Sequence, residues 1–159
     1  MTNLEYAIKM ELDGEQYYLR QAELNDDQGV KVVCNLLAED ERRHAQVLRD
    51  KSNQLAYQLE DSNILANTKN VFADRGDIII ADKAKQLDFY REAVKLEEES
   101  IKLYKELLEK AEDDEDKEIF KFLIEQEENH LQILDSLASM LRHAEEWVED
   151  AEFGVRPEY

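Results

Sequence analysis

The sequence matches itself at a shift of 86 residues. Ala7 falls on Ala93, Glu11 on Glu97 and Tyr18 on Tyr104. Further on, Leu37 falls on Leu123, Glu41 on Glu127, His44 on His130 and Leu48 on Leu134. Each half therefore carries Ala-x-x-x-Glu-x-x-x-x-x-x-Tyr, followed by Leu-x-x-x-Glu-x-x-His-x-x-x-Leu. The step from Glu11 to Glu41 equals the step from Glu97 to Glu127, 30 residues in each case. Two units with equal internal spacing can pack about a pseudo-twofold axis, and each then delivers the same side chains to the centre.

Each unit reads as a pair of helices. The chain has one proline and four glycines in 159 residues, and long stretches rich in Leu, Ala, Glu, Lys and Gln without breakers support no other element. The first helix is expected from about Asn3 to about Asp26, opened by Thr2 with Glu5 three residues on, a capping-box pattern. Asn25-Asp26-Asp27-Gln28-Gly29 forms a turn cluster. The second helix is expected from near Val30 to about Gln58. The third starts between Asp82 and Asp88 and reaches about Ala111. The acidic run Glu112 to Asp116 then turns the chain and places negative charge at the N-terminus of the fourth, where the helix dipole favours it. The fourth continues to about Asp150. Residues 1–150 thus form one all-α antiparallel four-helix domain, and 151–159 a C-terminal tail. Short turns make two helical hairpins, and the long segment Glu60 to Ala81 crosses between them. Within that segment Asp77-Ile78-Ile79-Ile80-Ala81 is too short and isolated to argue for a sheet.

Helical steps of three and four place chosen residues on one stripe of each helix. These are Leu4, Ala7, Glu11, Gly14 and Tyr18 on the first, and Leu37, Glu41, His44 and Leu48 on the second. The third contributes Tyr90, Ala93, Glu97, Ser100, Tyr104 and Leu107, and the fourth Leu123, Glu127, His130, Leu134, Leu137 and Leu141. Four glutamates and two histidines therefore lie in an otherwise apolar seam. Unpaired carboxylates there would cost several kcal/mol each, ~2–7 for a neutral polar group and more for a charge. Divalent metal ions remove that cost, because carboxylates bridge two such ions and imidazoles complete the shell. Four carboxylates and two divalent ions also balance in charge. One Glu from each of two helices with Glu-x-x-His from each of the other two is the ligand pattern of carboxylate di-iron and di-manganese bundles. Two metal ions are expected, iron first, with manganese or zinc as alternatives that ligand type leaves open.

The net charge of −19 excludes a basic footprint for nucleic acid or anionic membranes, and it concentrates cations such as Fe²⁺ near the surface. No apolar run spans a bilayer and no signal-peptide pattern opens the chain, so a cytoplasmic location is expected. Cys34 is the single cysteine; nothing basic lies beside it, so it is expected to pack rather than react. His143 lacks a Glu three residues before it and is set aside as a surface residue, while Trp147 and Phe153 could close one end of the bundle or meet a second subunit.

The helix segments Ala7-Ile8-Lys9-Met10-Glu11-Leu12-Asp13-Gly14-Glu15-Gln16-Tyr17-Tyr18, Leu37-Ala38-Glu39-Asp40-Glu41-Arg42-Arg43-His44-Ala45 and Ile124-Glu125-Gln126-Glu127-Glu128-Asn129-His130-Leu131 resemble the rubrerythrin and ferritin-like superfamily. The similarity runs from about Leu4 to about Leu141. It implies a ferritin-like bundle with Glu41 and Glu127 as bridging ligands, Glu11 and Glu97 as terminal carboxylates, and His44 and His130 as terminal imidazoles. It also implies that Tyr18 and Tyr104 hydrogen-bond ligand carboxylates. Two departures stand out. A full rubrerythrin carries a four-cysteine rubredoxin domain, so electrons here are expected from an external donor such as a rubredoxin-like protein or a small reductant. Ser100 stands where rubrerythrins have an additional Glu one turn after the third-helix ligand.

The resemblance implies a di-iron oxidoreductase of rubrerythrin type that reduces hydrogen peroxide or dioxygen, working as a homodimer. Gly14 and Ser100, small residues one turn beyond Glu11 and Glu97, are candidates for leaving space for the oxidant. A ferroxidase or iron-storage protein and a non-enzymatic acidic helical module are the alternatives.

Overall fold

A computed structural model describes residues 1–73 and 83–153, with side chains for 1–73 and 84–140. Five helices follow in order: α1 Asn3–Leu24, α2 Gln28–Ser52, α3 Ile64–Ala73, α4 Lys83–Lys110 and α5 Asp114–Phe153. The expected all-α bundle of two hairpins is the architecture observed. Among the described residues there is no strand, and no helix is long and apolar enough to cross a membrane.

Local signals explain the ends. Thr2 and Glu5 form a reciprocal capping box at α1: the Glu5 amide donates to Thr2 Oγ1 at 3.1 Å and the Thr2 amide to Glu5 Oε2 at 2.8 Å. Asp27 caps α2, its Oδ1 accepting from the Val30 amide, which satisfies a backbone donor that has no partner within the helix. Residues 25–27 and 111–113 are the two tight connections, and they force α1 to run antiparallel to α2 and α4 to α5.

The crossover differs from the expectation. α2 stops at Ser52 rather than near Gln58, because Asn53 caps it and Gln54 turns into the left-handed region at φ 59°. The Leu55 amide then reaches back to the Asp50 carbonyl at 2.7 Å. Asn63, at φ 58°, turns the chain again into α3, an additional helix that lies against α2 and α5 and buries Ile64 and Thr68. At the other end, residues 151–153 continue α5 as helix instead of opening the tail. Asp77 to Ala81 lies outside the described residues, as do the side chains of Leu141, His143, Trp147 and Phe153.

The interior is layered along the bundle. One apolar cluster gathers Tyr18, Val33, Leu37, Phe89, Ala93, Leu134 and neighbours. The other gathers Ala7, Leu48, Tyr104, Leu107, Phe120 and Leu123. Cys34 packs in the first, and burial pushes its thiol up to about 12, so it stays protonated and unreactive. The hairpins are also joined by a buried amide pair: Asn25 Nδ2 donates to Gln86 Oε1 at 2.9 Å, and Gln86 Nε2 donates to Asn25 Oδ1 at 3.0 Å. Replacing Gln86 with leucine leaves Asn25 Nδ2 buried without an acceptor. The expected loss is about 1–3 kcal/mol of unfolding free energy, measurable by urea denaturation.

Candidate metal centre

Between the two apolar clusters lies the polar layer. Glu11 on α1, Glu41 and His44 on α2, Glu97 on α4, and Glu127 and His130 on α5 are all at most 4 % exposed. The helical stripes bring all six to one place. Their ligand atoms form two groups, Glu11, Glu41, His44 and Glu127 in one and Glu41, Glu97, Glu127 and His130 in the other, with the atoms of each group within 4.8 Å of one another. Glu41 and Glu127 belong to both. Each group draws three residues from one hairpin and one from the other.

Both histidines turn Nδ1 inward. His44 Nδ1 lies 3.3 Å from Glu127 Oε1 and 3.4 Å from Glu11 Oε2. His130 Nδ1 lies 3.1 Å from Glu97 Oε1 and 3.2 Å from both Glu41 Oε1 and Glu127 Oε2. The two rings are stacked, 5.7 Å apart and 17° from parallel. Tyr18 Oη donates to Glu97 Oε1 at 2.6 Å, and Tyr104 Oη donates to Glu11 Oε1 at 2.5 Å. Each tyrosine thus holds the carboxylate of the opposite hairpin. Burial and the charges of Glu97 and Glu11 respectively push these phenols well above their usual range, so both remain donors.

The electrostatics are those of carboxylates crowded out of water. Burial, reinforced by the charges of Glu11 and Glu97 and, at Glu41, by that of Glu127, pushes Glu41 and Glu127 well above the carboxylate range. Burial acts the same way on Glu11, but a hydrogen bond from Glu41 and the charge of His44 outweigh it and bring the group to about 2. Glu97 is lowered against burial chiefly by the charge of His130. Burial disfavours the charged imidazoles, yet Glu11 carries His44 up to about 10 and Glu97 carries His130 well above its usual value. Glu11 Oε2, Glu97 Oε2 and Glu127 Oε2 are buried and accept no hydrogen bond of good geometry, the imidazoles beside Glu11 and Glu127 approaching only at ion-pair distance. Buried polar atoms are rarely left so, and a carboxylate-and-imidazole donor set with spare oxygens suits divalent iron, manganese or zinc.

The sequence matches the family model described as Rubrerythrin over residues 2–138. The chain belongs to the rubrerythrin family. That family binds di-iron, and this rubrerythrin-family chain has the buried donors for it. Among curated proteins and solved structures no match is found.

Two residues take on a clearer part. The room beside Gly14 is filled by the Glu41 carboxyl group: a Cβ at Gly14 would stand 3.3 Å from both Cδ and Oε2 of Glu41. Gly14 thus makes space for a candidate ligand, whereas the spacing had suggested space for an oxidant. Its counterpart Ser100 is buried on α4. A Gly14→Ala variant gains helix propensity of up to about 1 kcal/mol, but Glu41 must shift by a few tenths of an ångström. The expected outcome is an equal or slightly higher melting temperature without metal and an affinity for divalent metal lower by about tenfold. Paired thermal melts with and without metal check both.

Asp40 is the residue that the repeat does not reveal. It is 2 % exposed, and His130 Nε2 donates to its Oδ2 at 2.8 Å. The available signal was its place directly before Glu41, one residue off the seam. A surface cavity of about 390 Å³ has His44 in its wall, together with Asp40, Val47, Tyr57 and Phe122.

Proposed function

We propose that this rubrerythrin-family protein is a di-iron redox enzyme that reduces hydrogen peroxide or dioxygen with electrons from an external donor. The observation that carries the proposal is the pair of four-residue groups sharing Glu41 and Glu127, buried inside the bundle. Glu11, Glu41, His44, Glu97, Glu127 and His130 would hold a pair of iron ions, which when bound would supply two electrons. The chain's own contribution is positional. Tyr18 and Tyr104 fix the carboxylates of Glu97 and Glu11, the apolar layers exclude water, and the cavity at His44 is wide enough for a small oxidant.

For peroxide the balance is one H₂O₂, two protons and two electrons giving two water molecules. In this proposal a separate donor delivers the electrons, and a rubredoxin-like protein is the donor class that fits. The test is stopped-flow oxidation of the reduced, iron-loaded protein. Faster oxidation by hydrogen peroxide than by air-saturated buffer supports a peroxidase, and equal or slower oxidation removes that activity.

The charge of −19 favours a second possibility, ferroxidase or iron storage, in which the acidic surface draws Fe²⁺ inward. Its signature is uptake well beyond two irons per chain, with a large assembly on size-exclusion chromatography.

A further inference from the structure

The two halves of the centre are related by the repeat but differ at one position. The 86-residue shift that carries Glu41 onto Glu127 carries Asp40 onto Gln126. On one side, His130 turns Nδ1 to the centre and donates from Nε2 to the buried carboxylate of Asp40 at 2.8 Å. On the other side, His44 also turns Nδ1 to the centre, yet its Nε2 is buried with no partner. Gln126 is buried at 2 % exposure but makes no bond to His44. One imidazole is oriented and electronically supported by a carboxylate, and the other by nothing.

A carboxylate accepting from the outer N–H of an imidazole fixes the ring's orientation and raises the basicity of the inner nitrogen. Removing such a partner typically weakens metal binding by about 10- to 100-fold. Asp40 also places its negative charge in direct contact with His130, while His44 feels that charge more weakly. We propose that Asp40 is a positioning residue that makes the centre load in order: the half built on Glu97 and His130 takes a divalent ion first, and the half built on Glu11 and His44 fills second and empties first. The inference rests on the centre being a two-metal site. It adds that a singly loaded protein exists over a range of metal concentration and names the half that is occupied.

Anaerobic titration of the full-length protein with Co²⁺, followed by calorimetry and visible absorption, tests this without any turnover assay. Two steps are expected, separated by about 10- to 100-fold in affinity. Asp40→Ala should weaken the first step by that factor and draw the steps together, with Asp40→Asn falling between because the amide still accepts but carries no charge. Gln126→Asp should tighten the second step. The first step should survive His44→Ala and vanish in His130→Ala, each variant being checked for folding by circular dichroism. A single step for two equivalent ions in the wild type, or a first step lost with His44 and kept without His130, overturns the ordering while leaving the two-metal site intact. No bound Co²⁺ in the wild type overturns both.

Discussion

Replacing Glu127 by alanine is expected to abolish tight binding of both metal ions, whereas replacing Glu11 costs only one. Glu127 stands in both four-residue groups, with Oε1 3.3 Å from His44 Nδ1 and Oε2 3.2 Å from His130 Nδ1. Glu11 stands in one group alone. Loss of Glu127 therefore leaves three donors in each group and removes the negative charge between two cations, so their mutual repulsion is no longer screened. Stability should report the same difference. A ligand that binds only the folded chain adds about 2.7 kcal/mol at a hundred times its Kd, so wild-type protein should melt markedly higher when loaded. The Glu127→Ala variant should melt at one temperature with or without metal. Equilibrium dialysis beside thermal melts separates the outcomes, and one tightly held ion in Glu127→Ala would falsify the shared role.

Loading the pair is also expected to release protons around neutral pH. Without metal, burial and neighbouring carboxylates push Glu41 and Glu127 well above the carboxylate range, and the carboxylates carry His44 up to about 10 and His130 above its usual value, so proton binding is favoured at these four groups. Glu11 is brought to about 2 and Glu97 is lowered. With two divalent ions, four carboxylates and two neutral imidazoles, the loaded cluster is neutral, so protons leave as metal enters. The sign follows: groups with raised values compete with metal through the proton, and affinity falls as pH falls. Each unit of acidification should lower the overall two-ion constant by about tenfold for every proton released. Calorimetry in buffers of contrasting ionisation enthalpy counts the protons. Ordinary values would leave all four glutamates ionised and the histidines largely neutral at pH 7, and almost no release would be seen.

The seam was legible because helical periodicity and the repeat each point to the same residues. Glu11, Glu41, His44, Glu97, Glu127 and His130 recur at equal spacing, and Tyr18 and Tyr104 recur with them. The misses have physical causes. α2 ends at Ser52 without a glycine or proline; Gln54 adopts a positive φ that its side chain does not advertise. α3 has no counterpart among the described residues of the other half and only ten residues, a length at which helices depend on packing more than on propensity. Asp40 escaped because comparing two halves reveals what they share, and its importance lies in what Gln126 does not reproduce. Gly14 was recognised as small, but the neighbour that needs the space is 27 positions further along the sequence and comes beside it only once α1 and α2 have paired.

Each tyrosine reaches across to the other hairpin, and each four-residue group borrows one glutamate from it. Neither hairpin is self-sufficient, so a half-length ancestor with this pattern could have built the same centre only by pairing with a copy of itself. Fusion of two such copies through a crossover would turn a bimolecular encounter into an intramolecular one. It would also free the two halves to diverge, and Asp40 in one half where the other has Gln126 is a difference that no symmetric pair of identical chains could have acquired.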